Sequence, residues 1–171
     1  NLTRLSKMIE EKRCSVGLAL DGDADRLGVM DEDGSFISTL EVFSLLALYL
    51  LQEKGQRGAL VKGVTSSIML NKLGDEYGVD VHEMKVGFKY IGPKMSEVDA
   101  LMGGEESGGF AFRGHIPERD GILSGLYILE YMARTGKTPS ELVRNLFDQA
   151  GACSYQRRDV AFNPEAREEI Q

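Results

Sequence analysis

Apolar residues along this chain switch repeatedly between helical and strand-like spacing, and the switches mark its elements. Leu2, Leu5, Met8 and Ile9 fall on one helical face among lysines and glutamates, so the first dozen residues predict an amphipathic helix. Val16 to Leu20 reads as a buried strand, and Asp21 to Arg26 as a tight polar loop. Leu27 to Met30 predicts a second strand, joined through the turn Asp31–Ser35 to a short return at Phe36 and Ile37. Ser38 and Glu41 have capping-box spacing, and Gly55 can end the helix they open. That helix is apolar nearly all round, which predicts burial.

The remainder alternates strand and helix. Ala59 to Lys62 reads as a strand. Ser66 or Ser67 opens a helix through Leu73 that stops near Gly78. Val79 to Val86 alternates as a strand should, and Phe88 to Val98 predicts a short helix in spite of Gly92-Pro93. Ala100 to Met102 predicts a strand that runs into the glycine-rich loop Gly103–Gly109, and Phe110 to Phe112 continues as a strand. Asp120 or Gly121 opens a helix through Arg134, stopped by Gly136. Thr138-Pro-Ser-Glu141 is a second capping box with Pro at the first helical position, and its helix ends at Gly151. Cys153 to Phe162 reads as extended, and Asn163-Pro164 begins something new. This alternation predicts an α/β fold, a layered α/β/α domain with a mixed, mostly parallel sheet. Boundaries fall near Phe36–Thr39 and Gly151–Tyr155.

Composition narrows the function classes. The chain has 171 residues, 42% of them hydrophobic, which suffices for one domain with a core, or for one domain plus a piece of another. A formal net charge of −7 argues against nucleic acid and anionic membrane as partners. Arg26, Lys62 and Lys89 leave small anionic ligands open. Cys14 and Cys153 sit in no metal-ligand spacing and read as reduced packing residues of a cytoplasmic protein. The most apolar run, Val42 to Leu51, is too short for a bilayer, which takes about 20 residues. The chain opens on Asn-Leu-Thr-Arg without a methionine and closes on a run that reads as a helix cut short. Both ends lead us to expect a segment of a longer protein.

Two constellations carry candidate chemistry. Asp21, Asp23 and Asp25 alternate directly after an apolar strand. Two like charges about 4 Å apart repel by ~4 kcal/mol at an effective dielectric near 20, so three carboxylates on one turn ask for a cation. Oxygen donors on a rigid turn suit Mg²⁺. Arg26 sets a forked donor beside them, where a phosphate would want it. The EF-hand pattern also begins Asp-x-Asp-x-Asp, and Glu32 holds its twelfth position. Its sixth must be Gly, however, and here it is Arg26. A phosphatase loop with Asp21 as nucleophile and a plain solvated acidic turn stay open. The second constellation is Gly103-Gly-Glu-Glu-Ser-Gly-Gly109. Its glycines let backbone approach a ligand closely, and a carboxylate can accept from two vicinal sugar hydroxyls. A flexible turn with exposed glutamates is the plainer alternative.

With Lys89, these motifs resemble the α-D-phosphohexomutase family, the phosphoglucomutases and phosphomannomutases. Gly17-Leu-Ala-Leu-Asp-Gly-Asp-Ala-Asp-Arg26 is similar to the family's metal loop, with Ala24 in place of the usual Gly. Gly-Glu-Glu-Ser-Gly-Gly is similar to its sugar loop. Val86-Gly-Phe-Lys-Tyr-Ile-Gly92 and His115-Ile-Pro-Glu-Arg-Asp-Gly121 resemble two further segments, and the motifs occur in the family's order. The resemblance implies that Asp21, Asp23 and Asp25 hold Mg²⁺, and that Glu105 and Ser107, with Gly104, grip the hexose. It implies that Lys89 and Arg26 serve the phosphoryl group and that Lys62 lies near the cleft. It assigns no role to Glu106. Phe88 stands where the phosphomannomutase-like branch tends to have His, which leans toward a glucose phosphate. The bare reading of Lys62 and Lys89 is a solvated side chain, and Asp120 reads equally as a helix cap. Neither histidine is assigned to catalysis.

As the resemblance implies, residues 1–38 are the C-terminal part of a second domain, 39–152 a third domain, and 153–171 a linker toward a fourth. The activity implied is interconversion of hexose 1- and 6-phosphates through a phosphoserine and a bisphosphorylated sugar. No Thr-x-Ser-His-Asn-Pro-like serine loop and no Arg-x-Ser-Gly-Thr-Glu-like phosphate loop occurs in this sequence, so these residues by themselves are expected to be inactive. A non-catalytic cation- or carbohydrate-binding module is the reading from another class.

Overall fold

The computed structural model describes residues 2–154 and 156, so the expected turn to a new element at Asn163-Pro164 lies outside the described residues. Two sheets share one core. Helix α1 (Thr3–Lys12) packs on a three-stranded antiparallel sheet of β1 (Gly17–Leu20), β2 (Leu27–Met30) and β3 (Phe36–Ile37). Gly17 lets them approach: a Cβ there would stand 2.5 Å from Ile9 Cδ1.

Helix α2 (Thr39–Leu48) opens on the Ser38–Glu41 capping box and continues into a π-helical turn, Tyr49–Glu53, before Gly55 at φ +62°. Every residue from Val42 to Leu51 is buried, as an all-round apolar helix must be. The second sheet holds β4 (Leu60–Gly63), β5 (Val81–Met84), β6 (Met102–Gly104) and β7 (Phe110–Phe112) in the order β5-β4-β6-β7. Its first three strands are parallel and β7 runs antiparallel to β6. The remaining helices are α3 (Met69–Tyr77), α4 (Phe88–Glu97), α5 (Gly121–Thr135) and α6 (Pro139–Ala150).

Strand alternation divides the layers. Leu60, Met102, Phe110 and Phe112 face α2, α3, α5 and α6, whereas Val61 and Ala111 face Phe88, Ile91 and Met95 of α4. The result is an α/β/α stack with a mixed, mostly parallel sheet. Gly92, lacking a Cβ, eases the helical conformation before Pro93, and α4 runs through the pair. Strand β6 extends into Gly104, two residues past the strand expected at Ala100–Met102. Cys14 is exposed and Cys153 half-buried, so the expectation of a packing role holds for Cys153 and not for Cys14, which follows the left-handed end of α1. Among the described residues no helix is long and apolar enough to cross a membrane.

The first sheet is tied into this stack. Leu27, Val29 and Ile37 belong to the same buried cluster as α2. The Glu32 carboxylate, in the β2–β3 turn, accepts from Ser140 Oγ at 2.6 Å and from Ser140 N at 3.2 Å, on the first turn of α6. Burial pushes the Glu32 carboxyl up, but hydrogen bonds from Ser140 and Thr138 outweigh it and hold it below the usual carboxylate range. A depressed carboxyl stabilises above its unfolded value, and that contribution is lost as pH falls through the folded value. Glu32→Ala is expected to cost about 1 kcal/mol at neutral pH. In urea melts repeated down the pH scale, the gap from the wild type should shrink below about pH 4.5.

Candidate functional site

The carboxylate loop Asp21–Arg26 and the glycine-rich loop Gly103–Gly109 meet at the junction of the two sheets. Asp21, Asp23 and Asp25 sit in the β1–β2 loop, each with an oxygen within 4.8 Å of the others. Ala24 bends this loop in the left-handed region at φ +58°, where L-residues other than Gly are strained. Glycine would relieve that strain, so Ala24 costs backbone energy while keeping the bend. The Ala24 carbonyl accepts from Gly121 N at 2.9 Å, which seats the loop on the start of α5. A Cβ on Gly121 would stand 2.8 Å from the carbonyl oxygens of both Ala24 and Arg26.

The site fits a hard divalent cation. Three carboxylates converge, and Arg26 and Arg119 pair with Asp21 and Asp25. Arg26 Nε lies 2.5 Å from Asp21 Oδ2 and 3.6 Å from Asp25 Oδ1. Its hydrogen bond holds the Asp21 carboxyl below the usual range. Burial pushes the Asp25 carboxyl up, against the pull of Arg119. Asp23 projects outward and is exposed.

The glycine-rich loop joins β6 to β7 and is pinned to the carboxylate loop by backbone. Leu27 N donates to Gly108 O at 3.0 Å, and Arg26 forms an antiparallel bridge with Gly109. Gly108 takes φ +96°, and a Cβ there would stand 2.8 Å from Leu27 O. Glu105 is buried at 8% exposure, and burial raises its carboxyl while Arg119 lowers it. Ser107 is exposed and lines a hollow with Asp21, Arg26 and Thr39. Glu106 turns away from both, and its Oε2 accepts from Thr65 Oγ1 at 2.6 Å.

Arg119 is the residue that sequence reasoning passed over. Its Nη2 lies 2.7 Å from Asp25 Oδ2 and its Nη1 3.2 Å from Glu105 Oε2. Its guanidinium also stacks over Phe88 at 5.4 Å. It therefore joins a carboxylate of the Asp21–Arg26 loop to a carboxylate of the glycine-rich loop. The signal was present in the Glu-Arg-Asp-Gly run before α5, where attention went to the cap. Asp120 is that cap, accepting from Leu123 N at 2.8 Å, while its other oxygen meets His115 Nε2 at 3.0 Å.

Lys89, at the start of α4, is exposed over the Tyr90 ring and lines a cleft of about 680 Å³ with Glu105, Arg119 and Gly87. Lys62 does not join them. It shares a face of β4 with Leu60, the residue is buried at 2% exposure, and Glu83 Oε2 lies 3.0 Å from its ammonium on β5. It lines neither hollow described above. Gly104 is likewise buried, and the need for glycine there is packing: a Cβ would stand 2.6 Å from Phe110 and 3.1 Å from Phe43. The structure thus gathers Asp21, Asp23, Asp25, Arg26, Glu105, Ser107 and Lys89 around one junction and leaves Lys62 and Gly104 behind it.

Residues 40–150 match the model of a protein family described as phosphoglucomutase/phosphomannomutase, alpha/beta/alpha domain III. A phosphoglucosamine mutase of Nautilia profundicola is 38% identical over 80% of this chain and 31% of its own. One from Nitratidesulfovibrio vulgaris is 39% identical over 81% of this chain and 31% of its own. The crystal structure of a protein called a putative phosphomannomutase, from Thermus thermophilus, superposes with a TM-score of 0.83 at 38% identity. It covers 88% of this chain and 34% of that one. The chain spans about a third of the length of the curated relatives it matches.

Ala24→Gly should raise stability by up to ~1 kcal/mol, since left-handed strain is relieved while the unfolded chain gains freedom. Thermal melts with and without Mg²⁺ check this, and the cation-induced shift should persist. Arg119→Met should cost about 1–3 kcal/mol because it strands buried Glu105. The raised Glu105 carboxyl makes that loss grow as pH rises from about 4.5, and adding Glu105→Gln should recover part of it in urea melts.

Proposed function

This chain belongs to the phosphoglucomutase/phosphomannomutase family, and we propose that the protein carrying it moves phosphate between the 1- and 6-positions of a hexose or hexosamine. The observation that carries the reading is the junction itself: a three-carboxylate loop and a carboxylate-hydroxyl loop fastened edge to edge, with Arg119 between them. The names of the relatives, phosphoglucosamine mutase and phosphomannomutase, widen the substrate beyond the glucose phosphate toward which Phe88 leaned.

Asp21, Asp23 and Asp25 would hold Mg²⁺, which when bound supplies a Lewis acid that offsets phosphoryl charge. Arg26, half exposed beside them, presents a forked donor to the phosphoryl oxygens. Glu105 accepts from two ring hydroxyls, and Ser107 adds a donor and an acceptor. Lys89 reaches a substrate phosphate from the far wall of the cleft. Phosphoryl transfer is mostly positioning and electrostatic stabilisation, so orienting groups on rigid elements are what it requires. Arg119 keeps Asp25 and Glu105 at fixed separation, which sets metal and sugar in register. Lys62, paired with Glu83 and donating to Ser67 O at 3.5 Å, steadies the β4–α3 connection. The donor serine belongs to a part of the protein outside these 171 residues, so this chain by itself does not turn over. The setting we propose is cytoplasmic, with other domains of the same protein as partners and neither nucleic acid nor membrane.

The test uses the full-length protein. Phosphorus NMR of a hexose 1-phosphate with Mg²⁺ should show the 6-phosphate appearing, with phosphate on a serine. Glu105→Ala should cut turnover by about 100-fold while calorimetry still finds Mg²⁺ bound, and Asp23→Asn should lose both. Free inorganic phosphate with label trapped on Asp21 would replace this reading by a phosphatase. Equal loss of Mg²⁺ binding in the two variants would undo the division of roles.

A further inference from the structure

Glu106 sits between the two residues that face the site, yet it points the other way. Glu105 lines the cleft shared with Lys89 and Ser107 lines the hollow shared with Asp21, whereas the part-buried Glu106 side chain is directed to Thr65. There its Oε2 accepts from Thr65 Oγ1 at 2.6 Å, in the connection that follows β4. Its backbone carbonyl accepts from Thr39 Oγ1, on the first turn of α2. One residue thus ties the glycine-rich loop to two other elements, by its side chain to Thr65 and by its backbone to Thr39.

The loop has need of such a tie. Gly103, Gly104, Gly108 and Gly109 flank it, and glycine loses more backbone freedom on ordering than any other residue. The glycines are demanded by packing, as the close approaches of Met95 to Gly103, Phe110 to Gly104 and Arg119 to Gly109 make plain. Backbone pairing holds the loop at Gly108 and Gly109, and the side chains between the glycines add the remaining restraint. Arg119 restrains the Glu105 side chain on the ligand side. On the opposite side the described residues offer Thr65 and Thr39 to Glu106. A hydroxyl donating to a carboxylate is a charge-assisted bond, among the stronger restraints a side chain can supply.

We propose that Glu106 is a positioning residue: clamped by Thr65 and Thr39, it holds the sugar loop so that Glu105 and Ser107 present a fixed pair of groups to the sugar. The proposal rests on the reading of Glu105 and Ser107 as sugar ligands, and it deepens that reading. Glu106 acts through its neighbours and touches no substrate.

The experiment compares Glu106→Ala, Glu106→Gln and Thr65→Val in the full-length protein, with hexose 1-phosphate and Mg²⁺. Glu106→Ala should raise KM roughly tenfold or more, as loss of a charge-assisted hydrogen bond would, with kcat changed far less. Glu106→Gln keeps an acceptor for the Thr65 hydroxyl and should rescue most of the loss. Thr65→Val should reproduce Glu106→Ala in part, and the double variant should be no worse than Glu106→Ala. Amide exchange read without any sugar should quicken for residues 105–109 in Glu106→Ala and stay near wild type in Glu106→Gln. If Glu106→Gln fails as badly as Glu106→Ala while Thr65→Val is silent, Glu106 meets the ligand by its charge and the proposal is overturned. Unchanged exchange in Glu106→Ala would overturn it as well. Should the wild type turn over no hexose phosphate, the functional reading falls, and the exchange comparison still decides whether the clamp exists.

Discussion

Backbone pairing between Leu27 and Gly108, extended by the bridge from Arg26 to Gly109, is the constraint on which this site is built. A buried amide or carbonyl left without a partner costs roughly 1–3 kcal/mol, so this pairing fixes separation as well as contact. It takes the turn after an antiparallel strand and the turn at the end of a parallel sheet and makes them share an edge. Side chains then exploit the proximity. Arg119 meets Asp25 on one side of that edge and Glu105 on the other. Its charge lets two carboxylates with burial-raised protonation ranges stand close together.

Much of the framework was legible because local chemistry decides it. Ser38 with Glu41 and Thr138 with Glu141 form reciprocal caps in the structure as their spacing indicates, and Gly78 and Gly136 end α3 and α5 in the left-handed region. Such features involve residues three or four apart and owe little to the rest of the molecule. The carboxylate turn was legible for the same reason, since Asp21, Asp23 and Asp25 lie on consecutive alternate positions.

What escaped the sequence depends on distant pairing. Lys62 reads as a free cation, but which face of β4 it takes follows from the register with β5, which brings Glu83 beside it. Arg119 looks like a loop residue until the sheets come together and place it between Asp25 and Glu105. Gly104 reads as an opening for a ligand, while Phe43 and Phe110 explain its missing side chain. The deciding neighbour of Lys62, the Asp25 partner of Arg119 and the Phe43 ring over Gly104 all lie far along the chain, where no local pattern can reveal them.

The break in strand pairing near Ile37 looks like a natural place to divide the chain, because sheet order changes there. Energetically it is not a seam. Leu27 and Val29 lie in the cluster built by α2, α5 and α6, and Glu32 is bound to the first turn of α6. Hinges form where few buried contacts cross. A bend of the chain near Ile37 would have to break this shared core, so the loop of Asp21 to Arg26 and the loop of Glu105 to Gly109 are carried as one rigid piece.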